Sequence, residues 1–269
     1  MHSYERGLYR IRMRALCAAV ITLAAATVRA DEVVRLFDSK NLEHFYTFLK
    51  DRGRDIDPKG VFSVVDGLLR ISGEEWGCVT SRESFENYHL VAEFKWGEKT
   101  WGERVDRARD SGILIHSTGE DGAYSGTWMH SIECQIIEGG TGDVLVVGDG
   151  TDRFSATAPV APEKQDTSYV YDAAGASATI HSGRINWWGR NPAWRDVKDF
   201  RGAKDVEHPV GEWNRLEAVV VGRTMTVILN GVLVNQCVDV LPRGGQIQIQ
   251  SEGAEIFFKS VTLTRLAEK

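Results

Sequence analysis

Apolar and polar residues alternate with a period of two along most of this chain, which predicts strands rather than helices. From residue 89 to 96 the alternation is strict, with Leu90, Ala92, Phe94 and Trp96 on one face. Residues 61–65, the pair Asp66-Gly67 and residues 68–71 read as a tight hairpin, because Asp-Gly supplies the positive φ values that a two-residue turn requires. Further strands are expected over 111–116, 131–138, 143–147, 216–221 and 225–229, the last turning at Asn230-Gly231 into 232–234. Gln246, Gln248 and Gln250 alternate with Ile247 and Ile249, and 254–266 closes the chain as one long strand or two short ones. No window carries a long apolar stripe of helical period. Many short strands separated by turn signals predict an all-β fold, a two-sheet antiparallel β-sandwich. Residues 149–211 form a long Trp-rich insertion, with candidate strands at 169–171 and 178–180 and a surface loop over 186–195 that packs back on the sandwich.

The N-terminus has a different pattern. Arg6, Arg10, Arg12 and Arg14 precede an apolar run over 15–26, and Val28-Arg29-Ala30 has the spacing of a cleavage site. Residues 1–30 therefore read as an export signal, and the run is shorter than the roughly 20 residues of a spanning helix. Cleavage leaves one domain over 31–269 with 27 Lys and Arg against 37 Asp and Glu, a formal charge of −10. The expectation is a periplasmic or secreted protein that binds neither nucleic acid nor anionic membrane. Its oligomeric state is left open. Cys78, Cys134 and Cys237 remain, an odd number that cannot all pair, and Cys134 on the apolar parity of its strand reads as a buried thiol.

The candidate chemistry centres on Ser131-Ile132-Glu133-Cys134-Gln135-Ile136-Ile137-Glu138. Side chains five apart fall on opposite faces of a regular strand. A bulge after Gln135 would bring Glu133, Gln135 and Glu138 to one face, two carboxylates and an amide on a single sheet surface. Gln248 and Gln250 share this strand-face logic and suit sugar hydroxyls. His116 and His130 end and begin strands and are candidate bases. With Glu138 they are also the weak candidate ligands for a divalent metal ion. Trp128, Trp187 and Trp188 are candidate stacking platforms for pyranose rings, and Arg190 among them a donor to a ketone or hydroxyl. Asp143, Asp149 and Asp152 beside glycines suit Ca²⁺ without matching an EF-hand loop. Arg104, Arg107 and Arg109 read as a solvated loop.

Several blocks, in order, resemble the 3-keto-disaccharide hydrolase domain family. They are Leu36-Phe37-Asp38-Ser39-Lys40-Asn41-Leu42, Val65-Asp66-Gly67-Leu68-Leu69, Asp110-Ser111-Gly112-Ile113-Leu114, Glu133-Cys134-Gln135-Ile136-Ile137-Glu138, Gly211-Glu212-Trp213-Asn214, Leu229-Asn230-Gly231 and Ile249-Gln250-Ser251-Glu252-Gly253. The resemblance implies a concanavalin A-like lectin/glucanase jelly roll with carbohydrate on its concave sheet. It also implies bacterial catabolism of glycosides oxidised at C3. Glucanases of that fold often read Glu-x-Asp-x-x-Glu on the catalytic strand, and here Gln135 replaces the middle Asp. The strand therefore fits a sugar-binding and acid/base platform better than a standard glucanase site.

A ketone at C3 acidifies the C2 proton. A base removes it, the C1 substituent leaves, and water adds afterwards, with no oxocarbenium ion required. For this route Glu133 is the first candidate acid/base, with His116 and His130 behind it. Gln135, Gln248, Gln250, Glu138, Trp128, Trp187, Trp188 and Arg190 are the candidate substrate-binding residues. A noncatalytic carbohydrate-binding module and a conventional glucanase with an altered strand are the alternatives.

Overall fold

The computed structural model describes residues 32–267; the expected export signal at 1–30 lies outside them. Two sheets pack face to face, and no α-helix occurs among the described residues. One sheet runs Ala176–Ile180, Ser155–Val160, Val232–Leu241, Thr224–Leu229, Asn214–Val221, Tyr88–Thr100, Ala254–Arg265, Leu68–Ile71 and Phe62–Val65, with Val33–Phe37 also paired to Ala254–Arg265. The other runs Tyr169–Val170, Gly183–Asn186, Val144–Val147, His130–Ile137, Asp110–Thr118, Gln246–Ser251, Gly77–Ser81, Phe45–Leu49 and Gly53–Arg54. Pairing is antiparallel except between Tyr169–Val170 and Gly183–Asn186. This is the expected jelly-roll sandwich.

Its core follows from the alternation. Leu90, Ala92, Phe94 and Trp96 of the first sheet face Ile113, Ile115, Ile132, Cys134, Ile136, Ile247 and Ile249 of the second, all buried in one cluster. Each large side chain so buried contributes about 1.5–3 kcal/mol. Cys78, Cys134 and Cys237 are all buried and free. The hairpin forms as read, with Asp66 at φ 50° and Gly67 at φ 74°.

The expected insertion is only partly irregular. Ser155–Val160, Tyr169–Val170, Ala176–Ile180 and Gly183–Asn186 extend the sheets, and irregular backbone takes over after Asn186. Ser-Ala-Thr-Ala-Pro-Val and Gly-Arg-Ile-Asn carry too little apolar contrast to read as strands. The neighbours they pair with supply the order.

Parity also decides the outer face of the second sheet. Leu114, Cys78 and Val147 point away from the core and pack with Trp128, Phe48, Tyr124 and Leu145 as a second apolar cluster. Beside it lie the polar residues of the same parity: Asp110, Gly112, Glu133, Gln135 and Gln250.

Candidate active site

Asp110–Thr118 and His130–Ile137 pair without a shift from Ile115↔Ile132 to Asp110↔Ile137. Gly112 is the Cα partner of Gln135, and Leu114 that of Glu133. On the other side Gln248 faces Leu114 and Ile249 faces Ile113, so Gln250 flanks Gly112. Gly112 is the floor between two amides. A Cβ there would collide with Glu133 Oε1 and Gln250 Oε1. The glycine lets the two side chains close over the backbone.

The bulge expected after Gln135 is absent from that strand. The register shifts instead in the neighbouring strand, between Ile115 and Thr118. A further irregularity lies opposite Gln135, whose N–H donates to Asp143 O while its carbonyl accepts from Gly142 N, both at 3.0 Å. Glu133 and Gln135 therefore share the outer face, and Glu138 lies beyond the strand end. Its carboxylate accepts from Arg109 Nη1 at 2.6 Å, from Arg109 N at 2.8 Å and from Asp199 N at 3.2 Å. Glu138 is a structural anchor, outside the Glu133 cluster.

Other acids join Glu133. Asp110 Oδ1 accepts from Gln135 Nε2 at 2.6 Å, and its other oxygen accepts from Arg104. Arg104 also reaches Glu252 at 3.3 Å and Asp196 at 3.1 Å. Asp143, fully buried, takes Arg184 at 2.9 Å, Arg190, and the Trp187 N–H at 2.8 Å. Glu133, Asp110, Glu252 and Asp143 thus gather with Arg104, Arg184 and Arg190, and Asp196 adds a fifth acid at the more exposed edge.

The imbalance leaves protons on acids. Burial, and then the nearby Asp110, push Glu133 up to about 8, against the opposing pull of Arg184 and of a hydrogen bond from Gln250. Burial and the Glu133 charge raise Glu252 to about 7. Asp110 is raised as well, by burial and then by Glu252. Burial disfavours a carboxylate, and neighbouring acids add to that. A carboxyl that exchanges its proton near neutrality suits general acid/base work.

Several expected residues lie elsewhere. His116 is wholly buried against Tyr88, on the core side, with Nδ1 donating to Pro242 O at 2.6 Å and Nε2 without a partner. Burial lowers it to about 4. The backbone irregularity at this point (φ 55°) turns the ring inward. His130 sits against Phe154, with ring centroids 5.0 Å apart, and hydrogen bonds to Val147 O. Neither histidine joins Glu133. His116, His130 and Glu138 do not converge, and no group of three or more His, Cys, Asp or Glu arranged to hold a metal ion occurs among the described residues. Asp149 pairs with Arg153 at the surface, apart from Asp143.

Gln248 is taken up internally: its amide nitrogen donates to Thr80 Oγ1 at 3.0 Å, and its oxygen accepts from Met129 N at 3.1 Å. Gln250 differs, with its Oε1 buried and unpartnered. Trp187 is core, 1% exposed, and Trp128 is buried in the outer apolar cluster. Trp188 is exposed but lines a separate cleft with Tyr171 and Leu233. None of the three is an open platform beside Glu133. Arg190 is brought in, through Asp143 and by stacking on Trp194 at 4.1 Å.

The solvated reading fails for Arg104 and Arg109, which are drawn into buried ion pairs; Arg107 stays exposed. Pattern alone singles out neither Asp110 nor Arg184, and Glu252 enters only within a family-like block. Asp110 does share parity with Gly112 and Leu114, and that signal was available.

Comparisons with known proteins bear on the fold and the family. The structure resembles that of a "putative glycosyl hydrolase" from Parabacteroides distasonis, with 15% identity, TM-score 0.52, and coverage of 87% of this chain and 94% of that one. A second protein so named from the same organism gives 19% identity, TM-score 0.49, and 88% and 100% coverage. Bacillus licheniformis β-glucanase gives 11%, 0.45, and 89% and 100%. At such identities the first likeness is one of fold. No curated protein matches the sequence. Residues 32–264 match the 3-keto-alpha-glucoside-1,2-lyase-like domain, and the chain belongs to that family.

Proposed function

We propose that this protein cleaves 3-keto-glycosides by eliminating the C1 substituent, with Glu133 as the proton-transferring group. The observation that carries the reading is the Glu133 carboxyl, buried over Gly112 between Gln135 and Gln250 and raised to about 8. Family membership supports the substrate class.

In this mechanism the ionised Glu133 takes the proton from C2. The C2–H electron pair moves into the enolate, C2=C3–O⁻; it then returns to form the C1=C2 bond as the C1–O bond breaks, and Glu133 passes the proton to the departing oxygen. The products are an alcohol and an unsaturated 3-keto sugar. Water adding across the double bond completes a net hydrolysis. Arg184, whose charge already favours ionised Glu133, stabilises the enolate oxygen. Gln250 Oε1 is a buried, unpartnered acceptor beside the Glu133 carboxyl.

Incubation with methyl 3-keto-glucoside and with its unoxidised parent tests this. Methanol is expected from the keto sugar alone, and Glu133→Gln is expected to lower kcat at least about a hundredfold, the scale of a lost general base. Release from both substrates would mean conventional hydrolysis. Binding without turnover would mean a carbohydrate-binding module.

A further inference from the structure

A cleft of about 650 Å³ opens beside the acidic cluster, within the roughly 300–1,000 Å³ of small-molecule sites. Trp76, Trp101, Glu74, Glu75, Lys50 and Arg52 line it, together with Gly253. The chain links it directly to the site. Gly253 follows Glu252, and Gly102 and Glu103 of its wall precede Arg104, the guanidinium that binds Asp110 and Glu252. Gly253 O accepts from Trp101 N at 2.7 Å, so the cleft wall is hydrogen-bonded to the segment that carries Glu252.

The walls have the chemistry of a sugar site. Trp76 is one of the few large apolar side chains left exposed, at 38%. Its ring stacks on Trp128, centroids 6.2 Å apart and planes at 28°. Trp128 packs with Leu114, the Cα partner of Glu133. An aromatic path thus runs from beside Glu133 into the cleft. The Trp101 indole is fixed by its N–H bond to Ser72 O at 2.9 Å. Glu75 is held by Arg52 at 2.5 Å and by Lys59 at 3.0 Å, and Glu74 by Lys59 at 2.7 Å. These pairs fix a ring of hydrogen-bonding groups with no net positive field, which suits a neutral sugar better than an anionic one.

We infer that this cleft holds the leaving sugar of a disaccharide, an uncharged pyranose stacked on Trp76, while the keto sugar lies against Glu133. The inference rests on the proposed elimination for its direction and on the cleft itself for its ligand. Trp76→Leu removes the π-face yet keeps an apolar contact for Trp128. It is expected to lower kcat/KM for a 3-keto-disaccharide of glucose about tenfold more than kcat/KM for methyl 3-keto-glucoside, the scale of one lost stacking contact. Lys50→Trp, which fills the cleft from the Lys50 side, is expected to move the same ratio and stands in if Trp76→Leu does not fold. An unchanged ratio in the folded variants overturns the inference. If the wild type turns over neither keto substrate, the elimination reading falls, and calorimetry with maltose judges the cleft alone. Binding weakened about tenfold by Trp76→Leu then supports it; absent or equal binding overturns it.

Discussion

Glu133 carries its proton into the neutral range because the fold removes its water and sets Asp110 beside it. The same fact has a stability signature. The carboxyl titrates near 4.5 when unfolded and near 8 when folded. Its protonated form contributes stability that is fully present below about 4.5 and is lost as pH rises to about 8. Glu133→Gln is neutral at every pH and escapes that loss. The variant is expected to gain on the wild type as pH rises through this window, by up to roughly 5 kcal/mol at pH 8.5. Urea unfolding of both proteins at pH 5 and pH 8.5 checks it, and a constant difference would remove Glu133 from the buried cluster. Single residues also mark where sequence reading stops. Gln248 and Gln250 have the same parity and share Ile249 as a neighbour. One amide is taken up by Thr80 and Met129, the other keeps an unpartnered Oε1, and only strands distant in sequence decide which.

The site exists because three strands share one register around Gly112. Alternation made the strands at Asp110–Thr118, His130–Ile137 and Gln246–Ser251 legible, and with them the outward parity of Glu133, Gln135 and Gln250. The bulge expected after Gln135 does not form in that strand, since where a strand slips depends on the partner's hydrogen bonds, here at His116 and opposite Gln135. Gly112→Ala tests the register directly. The obstructing atoms are side-chain ends that can swing aside, so the melting temperature should move by only a few degrees. Moving them displaces Glu133 and Gln250 from the floor, and turnover should fall at least about a hundredfold. Wild-type activity in Gly112→Ala would place the reacting sugar elsewhere.

On the scale of the molecule, Arg109 joins what the chain separates. Its Nε donates to Gly97 O of the first sheet at 3.0 Å, and its Nη1 binds Glu138 at the end of the second sheet at 2.6 Å. The same Nη1 reaches Asp199 in the irregular segment at 2.7 Å. Removing one partner of a buried pair strands the other charge. Arg109→Met is expected to cost about 3 kcal/mol, read as a lower urea midpoint at unchanged slope. A loss under about 0.5 kcal/mol would mean that the sheets and the segment hold together without it.

The sequence by itself determined the all-β class, the hairpin at Asp66-Gly67, the core parity of Leu90 to Trp96 and the outward face that carries Glu133. These follow from a local rule, the two-residue repeat of a strand facing oil on one side and water on the other. Only the tertiary structure decided which outward groups meet: Asp110 and Glu252 with Glu133, Arg104 with both acids, and His116 turned inward. Those choices depend on pairing between segments far apart in the chain and on burial that shifts a proton's affinity, and neither is written in the spacing of residues along a single strand.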